Sequence, residues 1–207
     1  PILATLPRVP IIKKGYHLSQ MFMEDVNSEF SESIRTLRTL LIAKYQKKKS
    51  ILITSTYSGE GKTTIALNIS LAFSKIGKVL LIETDIRRPS VLNLINQDSE
   101  KSPGFSDLIQ GQVEFSKTIL NIPGSDIDLM TSGARRSDLT DLTTPSKLKE
   151  FFDHLKESYD YVVLDTPPVQ PVSDTLFIGQ ATDHNLLIAR AKFTKLAGIK
   201  SAMKKLK

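Results

Sequence analysis

The segment "STYSGEGKTT" at residues 55–64 directly follows the apolar run 51–53 and decides the fold. It carries two glycines and a lysine, followed by two hydroxyl side chains. A strand that ends in such a turn and opens a helix is the context of a phosphate-binding loop, in which successive backbone N–H groups point at the anion. The usual pattern G-x-x-x-x-G-K-[ST] lacks its first glycine here, because Thr56 stands in that place. The segment therefore predicts a nucleotide-phosphate site, with a glycine-rich turn that only caps a helix as the alternative.

Within this segment the side chains have distinct expected roles. Lys62 would reach the β- and γ-phosphates of ATP, the hydroxyl of Thr63 would ligate Mg²⁺, and Thr64 would support the loop. We expect the phosphates to be bound by the whole loop, namely Ser58, Gly59, Glu60, Gly61, Lys62, Thr63 and Thr64.

Carboxylates follow two further apolar runs. "VLLIETDIRRPS" at 79–90 ends a buried strand in Glu83 and Asp85, and "YVVLDTPP" at 161–168 leads into Asp165. Ligands of open α/β sheets bind at the carboxyl ends of the strands, so these acids are placed to meet a metal or a nucleotide. Solvated acids at strand ends are the alternative for either segment taken alone.

Composition limits the class of protein. A chain of 207 residues that is 40% hydrophobic suits one compact α/β domain. It contains no cysteine, which excludes disulfides and cysteine-based metal sites and favours a reducing compartment. The net charge of +6 is dispersed in short clusters without interleaved aromatic residues, so we expect no nucleic-acid partner. No apolar stretch approaches the roughly 20 residues that span a bilayer.

The periodicity predicts alternating strands and helices, and hence a mostly parallel sheet with helices on both faces. Strands are predicted near 51–55, 79–83, 127–131, 161–165 and 185–190, and helices near 62–76, 146–157, 173–180 and 194–206. An earlier helix has one apolar face, formed by Phe30, Ile34, Leu37 and Leu41. Residues 97–126 are expected to be mostly loop with one short helix, and residues 1–20, rich in proline, an extended linker from a membrane-proximal region.

Together the three segments resemble the Walker A, A′ and B motifs of the bacterial tyrosine kinases. These are cytoplasmic autokinase domains of co-polymerases that set chain length in exopolysaccharide and capsule export. "LATLP" at 3–7, "ESIRTLR" at 32–38 and "GFSDLIQG" at 104–111 are also similar to segments of that family. The resemblance implies the three-layer fold of the deviant P-loop ATPases, like that of the ParA and MinD proteins, over 21–207.

The resemblance implies an ATP-dependent autokinase that transfers the γ-phosphoryl group of Mg-ATP to tyrosines in the C-terminal tail of a neighbouring subunit. Lys62, Glu83, Asp85 and Asp165 would be catalytic, and Thr63, Asp85 and Asp165 would hold the metal. No tyrosine cluster is present, and the domain is expected to be cut before its tyrosine-rich tail.

The same resemblance implies partners and a location. Glu32, Arg35 and Arg38 fit the family's E-x-x-R-x-x-R oligomerisation motif, so we expect a homo-oligomeric ring, for instance an octamer. A membrane-spanning co-polymerase region, in the same or a partner chain, and a cognate tyrosine phosphatase are further expected partners. The domain would lie at the cytoplasmic face of the inner membrane.

Two departures from the family accompany the resemblance. Glu83 stands where the family usually has the first Asp of Asp-x-Asp, so Glu83→Asp is expected to be tolerated and Asp85→Asn is not. The loop "ARRSDLTDLTTPSKL" at 134–148 replaces an Asn-Pro-x-Glu-Leu-Leu-like stretch. We interpret its pair Arg135-Arg136 as solvated loop residues rather than as a clamp for phosphate.

Two other functions stay open. A partitioning or cell-division ATPase switch shares this fold, but usually carries an extra lysine early in the loop, where this chain has Thr56, Tyr57 and Ser58. A non-catalytic ATP-binding assembly module is the third hypothesis, which the presence of Lys62, Thr63 and Asp165 disfavours. The absence of cysteine excludes the nitrogenase-reductase branch.

Overall fold

The computed structural model describes residues 2–9, 21–44, 49–97, 102–136, 138–170 and 172–206. The helices are α1 (Met21–Glu24), α2 (Glu29–Lys44), α3 (Lys62–Ser74), α4 (Val91–Leu94), α5 (Phe105–Ile109), α6 (Pro145–Ser158), α7 (Asp174–Gly179) and α8 (Leu196–Lys205), with a 3₁₀ turn at Phe115–Thr118. The strands are β1 (Lys49–Ser55), β2 (Val79–Glu83), β3 (Ile119–Asn121), β4 (Ile127–Met130), β5 (Tyr161–Asp165) and β6 (His184–Ile188).

The six strands form one sheet in the order β3-β4-β2-β5-β1-β6. All neighbours pair in parallel except β3, which runs antiparallel to β4 at the edge. β5 lies at the centre, and its last residue, Asp165, is in register with Glu83 on one side and Ile53 on the other. The carboxyl ends of β1, β2 and β5 therefore meet at one edge of the sheet.

Both faces of the sheet are covered by helices, because alternate side chains of each strand enter different cores. Ile51 and Ile53 of β1 join the core formed with α1, α2 and α3, whereas Leu52 joins the core formed with α5, α6 and α7. Strands buried on both faces read as the continuous apolar runs seen in the sequence. The predicted fold class, a mostly parallel sheet between two helical layers, is confirmed.

Helix α2 contributes the expected apolar face. Phe30, Ile34, Leu37 and Leu41 are all buried against α3 and the sheet. The described part of the predicted linker, residues 2–9, contains no helix or strand, yet Leu3 and Leu6 pack against this same core. Residues 10–20 of that segment lie outside the described residues.

The sequence predicted every strand of the parallel sheet to within a few residues but missed β3. This strand has only three residues and lies on the edge, where it carries no long apolar run. Residues 97–126 were expected to hold one short helix; in the described part, α5 is followed by the 3₁₀ turn and then by β3.

At the opposite, amino edge of the sheet, Asp183 joins β1 to α6. Its Oδ2 accepts hydrogen bonds from the backbone N–H of Ser50 at 2.9 Å, from the Ser50 hydroxyl at 3.1 Å and from Nζ of Lys156 at 2.9 Å. Burial alone would raise the pKa of Asp183, but the hydrogen bonds from Lys156 and Ser50 outweigh it and leave the pKa below its usual value.

We predict that Asp183→Ala lowers the free energy of unfolding at pH 7 by about 1–3 kcal/mol, because it leaves the Ser50 N–H without its acceptor. The folded-state pKa is depressed, so this contribution is fully present above the unfolded pKa of about 4 and is lost as the pH falls through the folded value. Urea unfolding at pH 7 and at pH 3 measures the effect.

The matched control is Asp153→Ala on α6, whose carboxylate pairs with Lys149 and Lys156 at an exposed site. We expect it to cost no more than about 1 kcal/mol. Equal losses for the two variants at pH 7 would contradict the assigned role of Asp183.

Candidate active site

The turn between β1 and α3 has the backbone of a phosphate loop. Gly59 and Gly61 lie at φ 84° and 90°, in the left-handed region that other residues rarely adopt, and α3 begins directly afterwards at Lys62. A Cβ at either glycine would meet nothing within 4 Å, so their conformation rather than crowding requires glycine. The first N–H groups of α3 have no acceptor within the helix.

Side chains from three motifs converge beside this turn. Nζ of Lys62 lies 3.2 Å from the hydroxyl oxygen of Thr63, 3.5 Å from Oδ1 of Asp165 and 3.8 Å from Oδ2 of Asp85. The Thr63 hydroxyl is also 3.3 Å from that of Ser90, which belongs to the segment after β2. The sequence predicted the first four of these residues as site residues and missed Ser90.

Asp165 is fully buried, and neither of its carboxylate oxygens has a hydrogen-bond partner among the described residues. Burial raises its pKa above the usual value, and the nearby charge of Lys62 opposes that rise. Buried polar atoms of this kind are rare unless a ligand or ion completes them. Oxygen atoms of Thr63, Asp85 and Asp165 are the ligand type that Mg²⁺ prefers, so the residues present fit that ion.

Glu83 has a different environment from the other acids. Its Oε1 accepts the backbone N–H groups of Ser90 and of Val91, the latter at 2.8 Å, and so caps the start of α4. Burial raises the pKa of Glu83 to about 7, although these two hydrogen bonds oppose the rise. Asp85 instead accepts the backbone N–H of Arg88 with Oδ1, and its Oδ2 lies 3.8 Å from Nζ of Lys62.

The loop is braced by residues from the far end of the chain, which the sequence did not reveal. The Glu60 carboxylate is buried, accepts the N–H of Tyr57 at 2.7 Å and accepts the hydroxyl of Thr194. The guanidinium of Arg190 donates to the carbonyl of Gly59 at 3.3 Å. The side chain of Glu60, a residue of the predicted phosphate loop, thus forms hydrogen bonds to other residues of this chain.

Arg87 ties the segment after β2 to helix α7. It donates to both oxygens of the buried Asp174, at 3.0 and 3.2 Å, and lies 3.4 Å from Asp138. The hydrogen bond to Asp174 is the largest cause of a raised pKa for Arg87. These two hydrogen bonds hold the segment after β2 against the start of α7, which follows β5 in the chain.

The three residues of the predicted oligomerisation motif differ in their contacts. Glu32 and Arg35 form an exposed ion pair at 2.7 Å, and Arg35 also donates to the carbonyl of Val26 at 2.7 Å. Arg38 donates to the carbonyl of Ala72 near the end of α3, at 2.8 Å. Within one chain, then, Arg38 joins two helices while Glu32 remains 68% exposed.

The chain is similar in sequence to known proteins. The AAA domain family matches residues 48–207. The tyrosine-protein kinase YwqD of Bacillus subtilis is 31% identical over 169 residues, which cover 80% of this chain and 70% of that protein. The tyrosine-protein kinase ptk of Acinetobacter johnsonii is 28% identical over 206 residues; the alignment covers 95% of this chain but 28% of that longer protein.

Solved structures extend the likeness to the backbone. The chimerical protein CapA2B2 superposes with a TM-score of 0.87 at 26% identity, over 100% of this chain and 88% of the other. The septum site-determining protein MinD of Pyrococcus horikoshii, at 22% identity, has a TM-score of 0.61 over 76% of this chain and 65% of its own. The second likeness shows the fold alone; together with the match to the AAA domain family, it confirms the predicted P-loop NTPase fold.

The described residues contain neither a membrane-spanning helix nor a cluster of metal-binding side chains. In that part of the chain, no helix combines the length and the apolar character needed to cross a bilayer. Among the same residues, no group of three or more histidine, cysteine, aspartate or glutamate side chains is arranged as a metal site.

The contacts of Glu83 change the expectation for its shortening to aspartate. We predict that Glu83→Asp lowers the free energy of unfolding by about 1–3 kcal/mol, because the carboxylate no longer reaches the N–H groups of Ser90 and Val91. The substitution Glu83→Asp, which the family pattern led us to expect to be tolerated, would then still destabilise the fold. Glu83→Gln keeps an acceptor at the same place without a buried charge, so we expect a smaller loss. Denaturant unfolding at pH 7 measures both.

The matched control is Glu150→Asp, which removes the same methylene from an exposed residue of α6. It should stay within about 0.5 kcal/mol of the parent. If Glu83→Asp were as stable as this control, the capping role of Glu83 would be wrong.

Proposed function

The chain belongs to the bacterial tyrosine-protein kinase family, within the AAA domain family, and from this premise we propose that it transfers the γ-phosphoryl group of ATP to protein tyrosines. The observation that supports this reaction best is the convergence of Lys62, Thr63, Asp85 and Asp165 at the start of α3. It combines a phosphate loop with carboxylates that have unused oxygen atoms.

The loop from Ser58 to Thr64 would bind the triphosphate. Backbone N–H groups at the start of α3 and the positive end of its dipole favour an anion there. Lys62 would leave its present place beside the acids and donate to the β- and γ-phosphates, where its charge stabilises the transition state. Glu60 would act indirectly, by holding the loop through Tyr57 and Thr194.

In the transfer step, the phenol oxygen of the tyrosine forms a bond to the γ-phosphorus as the bond to the β–γ bridging oxygen breaks, and ADP leaves. Asp85 would either ligate the metal ion or accept the phenolic proton, with the oxygen that takes no backbone hydrogen bond and lies 3.8 Å from Nζ of Lys62. The protein contributes mainly positioning and charge neutralisation.

The residues that would hold Mg²⁺ are Thr63, Asp85 and Asp165, the last by orienting a water bound to the ion. When bound, the ion would neutralise charge that develops on the phosphate oxygens. Ser90, 3.3 Å from the Thr63 hydroxyl, would keep that hydroxyl oriented. Glu83 would position the segment that carries Ser90 rather than touch the ion.

The proposal extends to the setting of the kinase. We propose that the acceptor tyrosines lie in the C-terminal tail of a neighbouring subunit in a ring, and that phosphorylation regulates exopolysaccharide or capsule synthesis. A membrane-spanning co-polymerase region, fused or separate, would hold the domain at the cytoplasmic face of the inner membrane, and a tyrosine phosphatase would reverse the modification. No nucleic-acid partner is proposed.

The two other hypotheses have less support. The switch ATPases share the fold, as the likeness to MinD shows, but the loop has no lysine at Thr56, Tyr57 or Ser58 to reach across a dimer. A non-catalytic module would not need the convergence of Lys62 with two buried carboxylates. The membership in a kinase family favours the catalytic reading over both.

We predict that Lys62→Met reduces tyrosine phosphorylation by at least about 100-fold, because it removes a preorganised charge from the transition state. The measurement is transfer from Mg-ATP to added tyrosine peptides with acidic, neutral and basic flanks, detected by mass spectrometry. The variant should remain folded, since protonation of Asp165 can replace its lost ion pair. Lys75→Met, at the far end of α3, is the matched control and should retain full activity. Undiminished transfer by Lys62→Met would refute the assigned phosphate loop.

We also predict that Glu32→Ala weakens self-association at least about tenfold, as measured by sedimentation, if the proposed ring uses this helix. The change removes one exposed ion pair within the chain, which contributes about 0.2–0.5 kcal/mol to α2, so the fold should persist. Arg38→Ala is unsuitable as the test, because it also removes the hydrogen bond to Ala72. Glu157→Ala, on the exposed face of α6, is the control. If Glu32→Ala associates like the parent, this ion pair is only a local contact.

A further inference from the structure

Four arginines lie on the two segments that follow β2 and β4, and the proposed transfer step uses none of them. Arg87 and Arg88 follow β2, and Arg135 and Arg136 follow β4. The two segments are joined by a hydrogen bond from the backbone N–H of Arg136 to the carbonyl of Ile86, at 3.3 Å. Both lie at the carboxyl edge of the sheet, where the phosphate loop also lies.

The four arginines differ in how far nearby carboxylates of the chain already neutralise their charge. Arg87 is neutralised by Asp174 and Asp138. Arg136 approaches Asp107 only at 4.0 Å, and its Nε is buried without a hydrogen-bond partner in the described part of the chain. The exposed side chains of Arg88 and Arg135 have no ion pair with any described residue. We call Arg88, Arg135 and Arg136 the basic rim.

The basic rim is held firmly beside the site. On one side, the N–H of Arg88 donates to Asp85, and two residues further on Ser90 contacts Thr63. On the other side, Asp107 accepts the N–H of Ala134 at 3.1 Å, and the Ser106 hydroxyl donates to the carbonyl of Ala134 at 2.8 Å. These hydrogen bonds fix the backbone that carries the three guanidinium groups.

We propose that the basic rim binds acidic side chains that flank the acceptor tyrosine, so that the kinase prefers tyrosines in acidic peptides. This inference rests on the proposed function and adds its substrate class. The site itself contains Glu83, Asp85 and Asp165, which repel carboxylates, so acidic neighbours of the tyrosine must lie outward of the reacting hydroxyl. The rim is the place where such carboxylates meet the guanidinium groups of Arg88 and Arg135, which have no ion pair with a described residue and can bind a carboxylate in a bidentate way.

A nucleic acid fits the rim less well. Single-stranded nucleic acid is held by aromatic side chains that stack on bases as well as by positive charge. Neither of the two rim segments, residues 85–90 and 133–136, contains an aromatic residue. An acidic peptide needs only the guanidinium groups, which the rim provides.

Binding and turnover of peptides test the inference separately. Three fluorescent peptides would carry one tyrosine flanked by glutamate, by glutamine or by lysine, and their affinity for the whole chain would be measured by anisotropy at low salt. We expect the glutamate peptide to bind tightest, and Arg135→Glu and Arg88→Glu each to weaken it by about tenfold, an effect that added salt reduces. Binding of the glutamine peptide should change less than about twofold.

The control is Lys75→Glu, which makes the same change of charge at the far end of α3 and should leave all three affinities unchanged. Equal affinity for the glutamate and glutamine peptides in the parent would overturn the inference, as would an equal loss in Lys75→Glu. Loss of binding to a labelled single-stranded oligonucleotide in the rim variants, without loss of peptide binding, would assign the rim to nucleic acid and also overturn it.

Phosphorylation of the same peptides separates this inference from the proposed function. Transfer to all three peptides with a similar KM would support the kinase and refute the rim. Selective binding of the glutamate peptide without transfer to any peptide would support the rim as a peptide site and count against the proposed reaction.

Discussion

The buried carboxylate of Asp165 beside the ammonium of Lys62 is the interaction on which the proposed site depends. An ionised carboxylate without a partner in the interior costs several kcal/mol, and Lys62 at 3.5 Å supplies the opposing charge. In the proposed reaction Lys62 moves to the phosphates, and a divalent ion near Asp165 would then spare this carboxylate from taking up a proton. Binding of the nucleotide and of a divalent ion would therefore depend on one another.

The sheet explains why this carboxylate is buried at all. β5 is the central strand, flanked by β2 and β1, and Asp165 is its last residue. The strand must be apolar along its length because helices cover both faces, so the first polar group can appear only where the strand reaches the edge. Glu83 ends β2 in register with Asp165, and it avoids a second unmatched charge by capping α4. Two acids at equivalent strand ends thus acquire different roles.

The sequence was sufficient for the parts of the fold and site that depend on local pattern. The continuous apolar run 51–53 and the glycine-lysine turn place β1 and α3, and the order of the three motifs brings Lys62 to Asp165. Contacts between distant residues carry no such signal. Glu60 contacts Thr194, which is 134 positions away in the sequence, and Arg87 contacts Asp174, which is 87 positions away. Both pairs consist of polar residues that lie in loops or at helix ends, where no periodic pattern marks them. The sequence also did not show why Glu83 has one methylene more than aspartate. In the structure its carboxylate reaches the backbone N–H groups of Ser90 and Val91.

The charges at the carboxyl edge are arranged in two zones, and this arrangement bears on how a kinase of this fold could select its substrate. Acidic side chains lie inside, where Asp85 and Asp165 face Lys62. The arginines of the basic rim lie outside, and among the described residues Arg88 and Arg135 have no ion pair. A peptide with carboxylates near its tyrosine would be repelled from the inner zone and attracted by the outer one. Its neutral phenol is then the group best able to enter. Charge pattern alone would orient the acceptor before any shape-specific contact forms, because such forces act over about 10 Å in water.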